Sequence, residues 1–122
     1  MVGNSWIEYK IKVRERLRLF SLSIIHLSTK LETKTASKVI NYQLTKSGTS
    51  VYSNYRAALR ARSKAEFFSK LSICVEEADE TEMWLELLIA SNITSNQEVV
   101  LIHNESIELI KILASMRKKL RI

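Results

Sequence analysis

The sequence predicts an all-α fold: an antiparallel up-down four-helix bundle forming a single domain over residues 1–122. Three observations carry that expectation. Pro is absent and Gly occurs only at Gly3 and Gly48, whereas the tight turns of sandwiches and barrels draw on both residues. Apolar residues recur at alternating steps of four and three over three long stretches, the spacing of a seam between packed helices. The segments between those stretches are short, and short connections join antiparallel neighbours. With 122 residues, 46% of them hydrophobic, the chain fits one compact domain with a modest core.

The first helix is expected over about Ile7 to Leu31, with Val13, Leu17, Phe20, Ile24, Leu27 and Leu31 as its core stripe. Leu19, Leu22 and Ile25 fall off that stripe. A helix apolar on more than one face needs a second surface to bury against: either a wide core contact or a subunit interface. The second helix is expected from Thr35 to Lys46, with a narrow apolar face of Ala36, Val39, Ile40 and Leu44. Ser47-Gly48 reads as its stop, because Gly after a lysine-bearing last turn is a C-cap signal. A short helical segment from Val51 to Leu59 is then expected, begun by Thr49 or Ser50.

The third long helix is expected to start at Ser63, where Ser63-Lys64-Ala65-Glu66 fits a capping box. Its stripe is Phe67, Leu71, Cys74, Ala78, Thr81, Leu85 and Leu88, broadened at the far end by Trp84 and Leu87. A second capping box, Ser95-Asn96-Gln97-Glu98, opens the fourth helix, whose stripe is Val99, Ile102, Ser106, Leu109, Leu113, Met116 and Leu120. Arg117, Lys118, Lys119 and Arg121 suit a helix C-terminus, where the carbonyl dipoles favour cations.

Charge is segregated along the chain. The formal net charge is +6 and the pI about 9.6. Residues 1–70 hold 14 Lys or Arg against 4 Asp or Glu, and residues 71–122 hold 5 against 9. In the basic half, Lys12 and Arg16 share one helical face, Arg14 and Arg18 another, and Arg56 and Arg60 a third. Arg62 and Lys64 follow directly. These residues form either a solvated surface or a phosphate-contacting patch. No zinc-finger spacing or aromatic sheet motif points to base-specific readout. The acidic run is Glu76, Glu77, Asp79, Glu80, Glu82 and Glu86. Like charges one turn apart repel by a few tenths of a kcal/mol. Basic side chains of another helix or another subunit would offset that repulsion, and the first helix is the expected donor.

Enzymatic chemistry finds no motif. Ferritin-like di-iron sites use Glu-x-x-His pairs, yet Ser23 and Val100 stand three residues before His26 and His103. No metal site or cofactor is therefore expected. Cys74 is the single cysteine, which excludes an intrachain disulfide. Its place within an apolar stripe argues against an activated thiol. Ser47-Gly48-Thr49-Ser50 lacks the glycine pattern of a P-loop and reads as a helix-to-helix turn. Trp6 and Tyr9 form either an interface or a capping cluster. With no signal-peptide core and no membrane span, a cytoplasmic location is expected.

The string from Gln43 to Leu88 resembles the bacterial 23S ribosomal RNA intervening-sequence family. The resemblance is carried by Gln43-Leu44, Ser47-Gly48-Thr49-Ser50-Val51, Asn54-Tyr55-Arg56-Ala57, Ala61-Arg62-Ser63-Lys64-Ala65-Glu66-Phe67 and Lys70-Leu71. It continues through Glu76-Glu77-Ala78-Asp79-Glu80-Thr81-Glu82 and Trp84-Leu85-Glu86-Leu87-Leu88. Phe20 to Leu31 match more loosely, and the fourth helix matches in pattern only. The resemblance implies an antiparallel four-helix bundle assembled as a homopentamer, a ring with a central channel, and no established enzymatic activity. The accessory protein of diversity-generating retroelements, a basic pentamer that works with a reverse transcriptase and RNA, is similar in fold. One departure is Tyr52-Ser53, where the family commonly has Gly-Ala; the larger Tyr52 bears on subunit geometry.

Two functional readings follow. In one, an oligomer contacts RNA or DNA phosphates through Lys12, Arg14, Arg16, Arg18, Arg56, Arg60, Arg62 and Lys64. In the other, the protein is an interaction scaffold or accessory subunit, for example of a reverse transcriptase, that meets a protein partner. Candidate interface residues are Leu19, Leu22, Ile25, Glu76, Asp79, Glu80 and Trp84.

Overall fold

The computed structural model describes residues 2–94 and 96–120 and contains four helices: α1 (Val2–Ser28), α2 (Thr35–Leu59), α3 (Lys64–Ala90) and α4 (Gln97–Lys119). They pack in a cycle. α1 lies against α2 and α4, α3 also lies against α2 and α4, and the α1 and α3 backbones occupy opposite corners of the bundle. Ser95 and Arg121 of the predicted end signals lie outside the described residues.

The four-three stripes become the core. Val13, Leu17, Phe20, Ile24, Leu27 and Leu31 are all buried, as are Leu71, Cys74, Ala78, Thr81, Leu85 and Leu88. Val99, Ile102, Ser106, Leu109, Leu113 and Met116 complete the interior, with Phe67 and Leu120 packed on it half-buried. Tyr55 is the largest fully buried side chain, and its hydroxyl donates to the Lys10 carbonyl at 2.9 Å. That bond satisfies the polar end of an otherwise apolar group and ties α2 to α1. Between α2 and α3, the Thr81 hydroxyl donates to Ser47 Oγ at 2.9 Å. No buried side-chain nitrogen or oxygen among the described residues lacks a hydrogen-bond partner.

The caps differ in detail from the expected boxes. Ser63 is the N-cap of α3 and accepts from the Glu66 backbone N–H at 3.0 Å. No reciprocal bond from the Glu66 side chain occurs among the described residues. Asn96 caps α4, its Oδ1 accepting from the Glu98 N–H at 2.9 Å. Beyond α3, Asn92 takes a φ of 58°, a left-handed conformation that Asn tolerates better than most residues.

The second helix departs from the expectation. It does not stop at Ser47-Gly48; α2 runs unbroken through Gly48 to Leu59, absorbing the short helix expected over Val51 to Leu59. There is no loop at Ser47-Gly48-Thr49-Ser50. Gly48 is buried in mid-helix, where a single Gly costs about 1 kcal/mol relative to Ala. Its role is close approach: a Cβ there would lie 3.0 Å from both Cγ1 and Cγ2 of Ile24 on α1. At the same crossing the Ser21 hydroxyl donates to the Gly48 carbonyl at 3.2 Å. The buried face of α2 is accordingly Ser37, Leu44, Ser47, Gly48, Val51, Tyr55 and Ala58, while Val39 of the expected face is exposed.

Gly48→Ala would stabilise an ordinary exposed helical position. Here we expect overpacking against the stiff β-branched Ile24 to exceed the propensity gain, for a net loss of about 1 kcal/mol. Adding Ile24→Ala should produce less than the sum of the two single losses. Urea unfolding of the three variants followed by circular dichroism checks both statements.

Candidate nucleic-acid and subunit interfaces

The structure brings together some of the basic candidates and separates others. Arg14 on α1 meets Arg56 and Arg60, one turn apart on α2, around a concavity of about 230 Å³ that also includes Leu59. The Arg56 guanidinium lies 5.8 Å from the Tyr52 ring centroid. One turn before Arg14, the Lys10 ammonium sits 5.3 Å from the Trp6 ring and 5.7 Å from the Phe67 ring, within cation–π range. Trp6 also stacks on Tyr9, with centroids 6.0 Å apart. Lys10 was not among the predicted contacts. Its signal is the four-residue step to Arg14, which puts both on one face.

None of the ion pairs among the described residues involves Lys10, Lys12, Arg14, Arg56, Arg60, Arg62 or Lys64. Arg62 and Lys64 continue from Arg60 through the exposed α2–α3 connection. Lys12 and Arg18 do not line the concavity. Arg18 pairs locally with Glu15 at 3.1 Å. Arg16 is engaged on α4: its Nε and Nη2 each donate to Glu105 at 2.7 Å. This fork-on-carboxylate geometry holds the guanidinium charge and raises its pKa. Arg16 is therefore part of the α1–α4 contact, together with Lys30 and Glu98 at 2.8 Å.

The acidic run is arranged differently from the expectation. The α1 and α3 backbones lie diagonally across the bundle, and none of the ion pairs among the described residues joins a basic residue of α1 to that run. Glu82 instead faces His103 of α4 at 2.7 Å. Glu76, Asp79 and Glu80 are exposed and enter no ion pair among the described residues. Half-buried Trp84 donates its indole N–H to Glu80 at 3.3 Å. Burial, and then the neighbouring Glu80 charge, push the Glu77 carboxyl above its ordinary range.

The apolar candidates form a surface. Leu19, Leu22 and Ile25 are exposed on α1. Leu19 adjoins Leu101 of α4 in a groove of about 320 Å³ that includes the Arg16–Glu105 pair. Leu101, 61% exposed, was missed, although it falls off its helix stripe just as Leu19 does. Ile7 and Ile11 extend the exposed apolar surface of α1 toward its N-terminus.

No group of three His, Cys, Asp or Glu side chains suited to a metal ion occurs among the described residues. No helix there is long and apolar enough to cross a membrane. Cys74 is fully buried, its Sγ 3.7 Å from the Val51 carbonyl, and burial pushes its thiol up to about 12.

A family model described as 23S rRNA-intervening sequence protein matches residues 9–115. Among solved structures, the chain is similar to the crystal structure of a protein with unknown function from the S23 ribosomal protein family of Bacteroides thetaiotaomicron. The two are 38% identical with a TM-score of 0.80, over 87% of this chain and 98% of that one. A comparison with curated proteins gives no match.

The buried thiol gives a direct check. At pH 8 Cys74 should react with a disulfide reagent only as fast as the bundle opens, and promptly in denaturing urea. A raised thiol pKa stabilises the folded state below the unfolded value near 9, and that contribution fades as pH climbs from there toward 12. Denaturant midpoints measured between pH 8 and pH 10 should therefore fall.

Proposed function

We infer that this chain, which belongs to the 23S rRNA-intervening sequence protein family, is a non-enzymatic, cytoplasmic oligomer that associates with RNA or DNA through a basic surface. The observation that carries the reading is the convergence of Arg14, Arg56 and Arg60 on one concavity, with no carboxylate paired to any of them among the described residues. Three guanidinium groups held close together repel one another. Phosphate oxygens relieve that repulsion and accept the planar N–H fork. Lys10, Arg62 and Lys64 extend the positive field on either side, and Tyr52 offers a ring beside Arg56.

We propose an up-down bundle assembled as a homopentameric ring. The up-down order is supported by which residues meet. Lys10 pairs with Tyr55, Ser21 with Gly48 and Ser28 with Asn41. Ser47 and Thr81, and Val51 and Cys74, pair in the same reversed sense. Self-assembly is supported by the exposed apolar surface of α1, and the pentamer by the family resemblance. A ring presents one arginine concavity per subunit, so a weak patch gains by avidity.

The scaffold reading has an observation of its own. The α1–α4 groove with Leu19 and Leu101 is apolar and open, a surface suited to a protein helix.

Fluorescence anisotropy with a labelled single-stranded RNA separates the two readings. Affinity should fall steeply between 50 and 200 mM salt as counterions are released. Arg56→Gln combined with Arg60→Gln should weaken binding and reduce the log–log salt slope by about one to two. A flat salt response, or binding unchanged in the double variant, overturns the nucleic-acid reading.

A further inference from the structure

Each of the two diagonal helices carries a second seam that points away from its core stripe. On α1, Ile7, Ile11, Arg18, Leu22 and Ile25 recur at steps that keep them on one side of a 3.6-residue helix. Ile7 is 51% exposed, Ile11 46%, Leu22 47% and Ile25 45%. On α3, Ile73, Glu76, Glu80, Trp84 and Leu87 recur at steps of three and four. Glu76, Glu80 and Leu87 are exposed, and Ile73 and Trp84 half-buried. Both seams have apolar ends and a charged middle: Arg18, with its neighbour Glu15, on α1, and Glu76 and Glu80 on α3.

The spacings also match in one sense. At 1.5 Å per residue, the charged middle of the α1 seam lies roughly 14 Å from the centre of Ile7 and Ile11 and roughly 8 Å from that of Leu22 and Ile25. On α3, the midpoint of Glu76 and Glu80 lies roughly 11 Å from the centre of Trp84 and Leu87 and roughly 8 Å from Ile73. Laid antiparallel, Ile7 and Ile11 fall against Trp84 and Leu87, Arg18 against the glutamates, and Leu22 and Ile25 against Ile73. The parallel alignment misplaces both ends.

We propose that the outer seam of α1 in one copy docks antiparallel on the outer seam of α3 in a second copy. This rests on the self-assembly read above and specifies its surfaces. The two seams are different faces of the same chain, so the contact is head-to-tail. Every subunit offers one of each, and head-to-tail contacts of this kind form a ring when the rotation between neighbours closes. The contact brings the basic half of one chain to the acidic half of the next. That is the neutralisation that α1 does not supply to α3 of its own chain. Arg18 has only the exposed i,i+3 contact with Glu15 to exchange for it.

Charge exchange tests the pairing. By light scattering at micromolar concentration the native chain should be an oligomer. Arg18→Glu and Glu80→Arg should each raise the concentration needed for assembly by about tenfold or more. Carrying both substitutions in one chain should return it to within about threefold of native. Circular dichroism confirms that every variant stays helical. Single variants that assemble like the native chain overturn the proposal, as does a double variant that fails to recover. A native chain that is monomeric throughout overturns the self-assembly reading itself.

Discussion

Helix α1 has to lie against α2 and α4 along one stripe while Ile7, Ile11, Leu22 and Ile25 face water on the other side. That constraint governs much of the rest. The inner stripe forms the core with the other helices' stripes and needs only apolar residues at steps of four and three. The outer seam is left uncovered within the chain, because the α3 seam proposed to meet it sits diagonally across the bundle. Fully burying a large aliphatic side chain contributes about 1.5–3 kcal/mol. Covering four that are about half exposed is worth a few kcal/mol before the costs of association. A second copy can supply that cover and the missing counter-charge together.

The α1–α2 crossing shows the same economy inside the bundle. Gly48 lets Ile24 approach the α2 backbone, and Ser21 fixes the register by donating to the Gly48 carbonyl. The close crossing is flanked by the Tyr55 bond to the Lys10 carbonyl and the Asn41 bond to the Ser28 carbonyl. It therefore sets the relative placement of the two helices that carry Arg14, Arg56 and Arg60. Gly48 lies two turns before Arg56 on the same helix, so the close crossing and the arginine concavity share one α1–α2 contact.

Much of the fold was legible because apolar periodicity records what faces the core. The stripes of the first, third and fourth helices are the buried residues, with Phe67 and Leu120 half-buried at their ends. Gly48 was misread because a local rule outweighed a longer one. Gly after Lys46 and Ser47 looks like a C-cap, yet Leu44, Val51 and Ala58 keep a seven-residue period straight through it. The site was legible only as ingredients. Periodicity put Arg56 and Arg60 on one face, but Arg14 joins them through packing. Arg16 is drawn away by Glu105, a partner 89 residues distant. No sequence pattern ranks one arginine of the basic run above another; that choice is made by which neighbouring helix carries a carboxylate.

Hydroxyl-radical footprinting across a dilution series reports which faces of the bundle lose contact with water on assembly. As concentration rises, Leu22 and Ile25 on α1 and Trp84 and Leu87 on α3 should become protected together, while Tyr42 and Leu101 stay reactive. An α1 seam that reacts equally at every concentration, or is protected without its α3 counterpart, would rule out docking of α1 on α3.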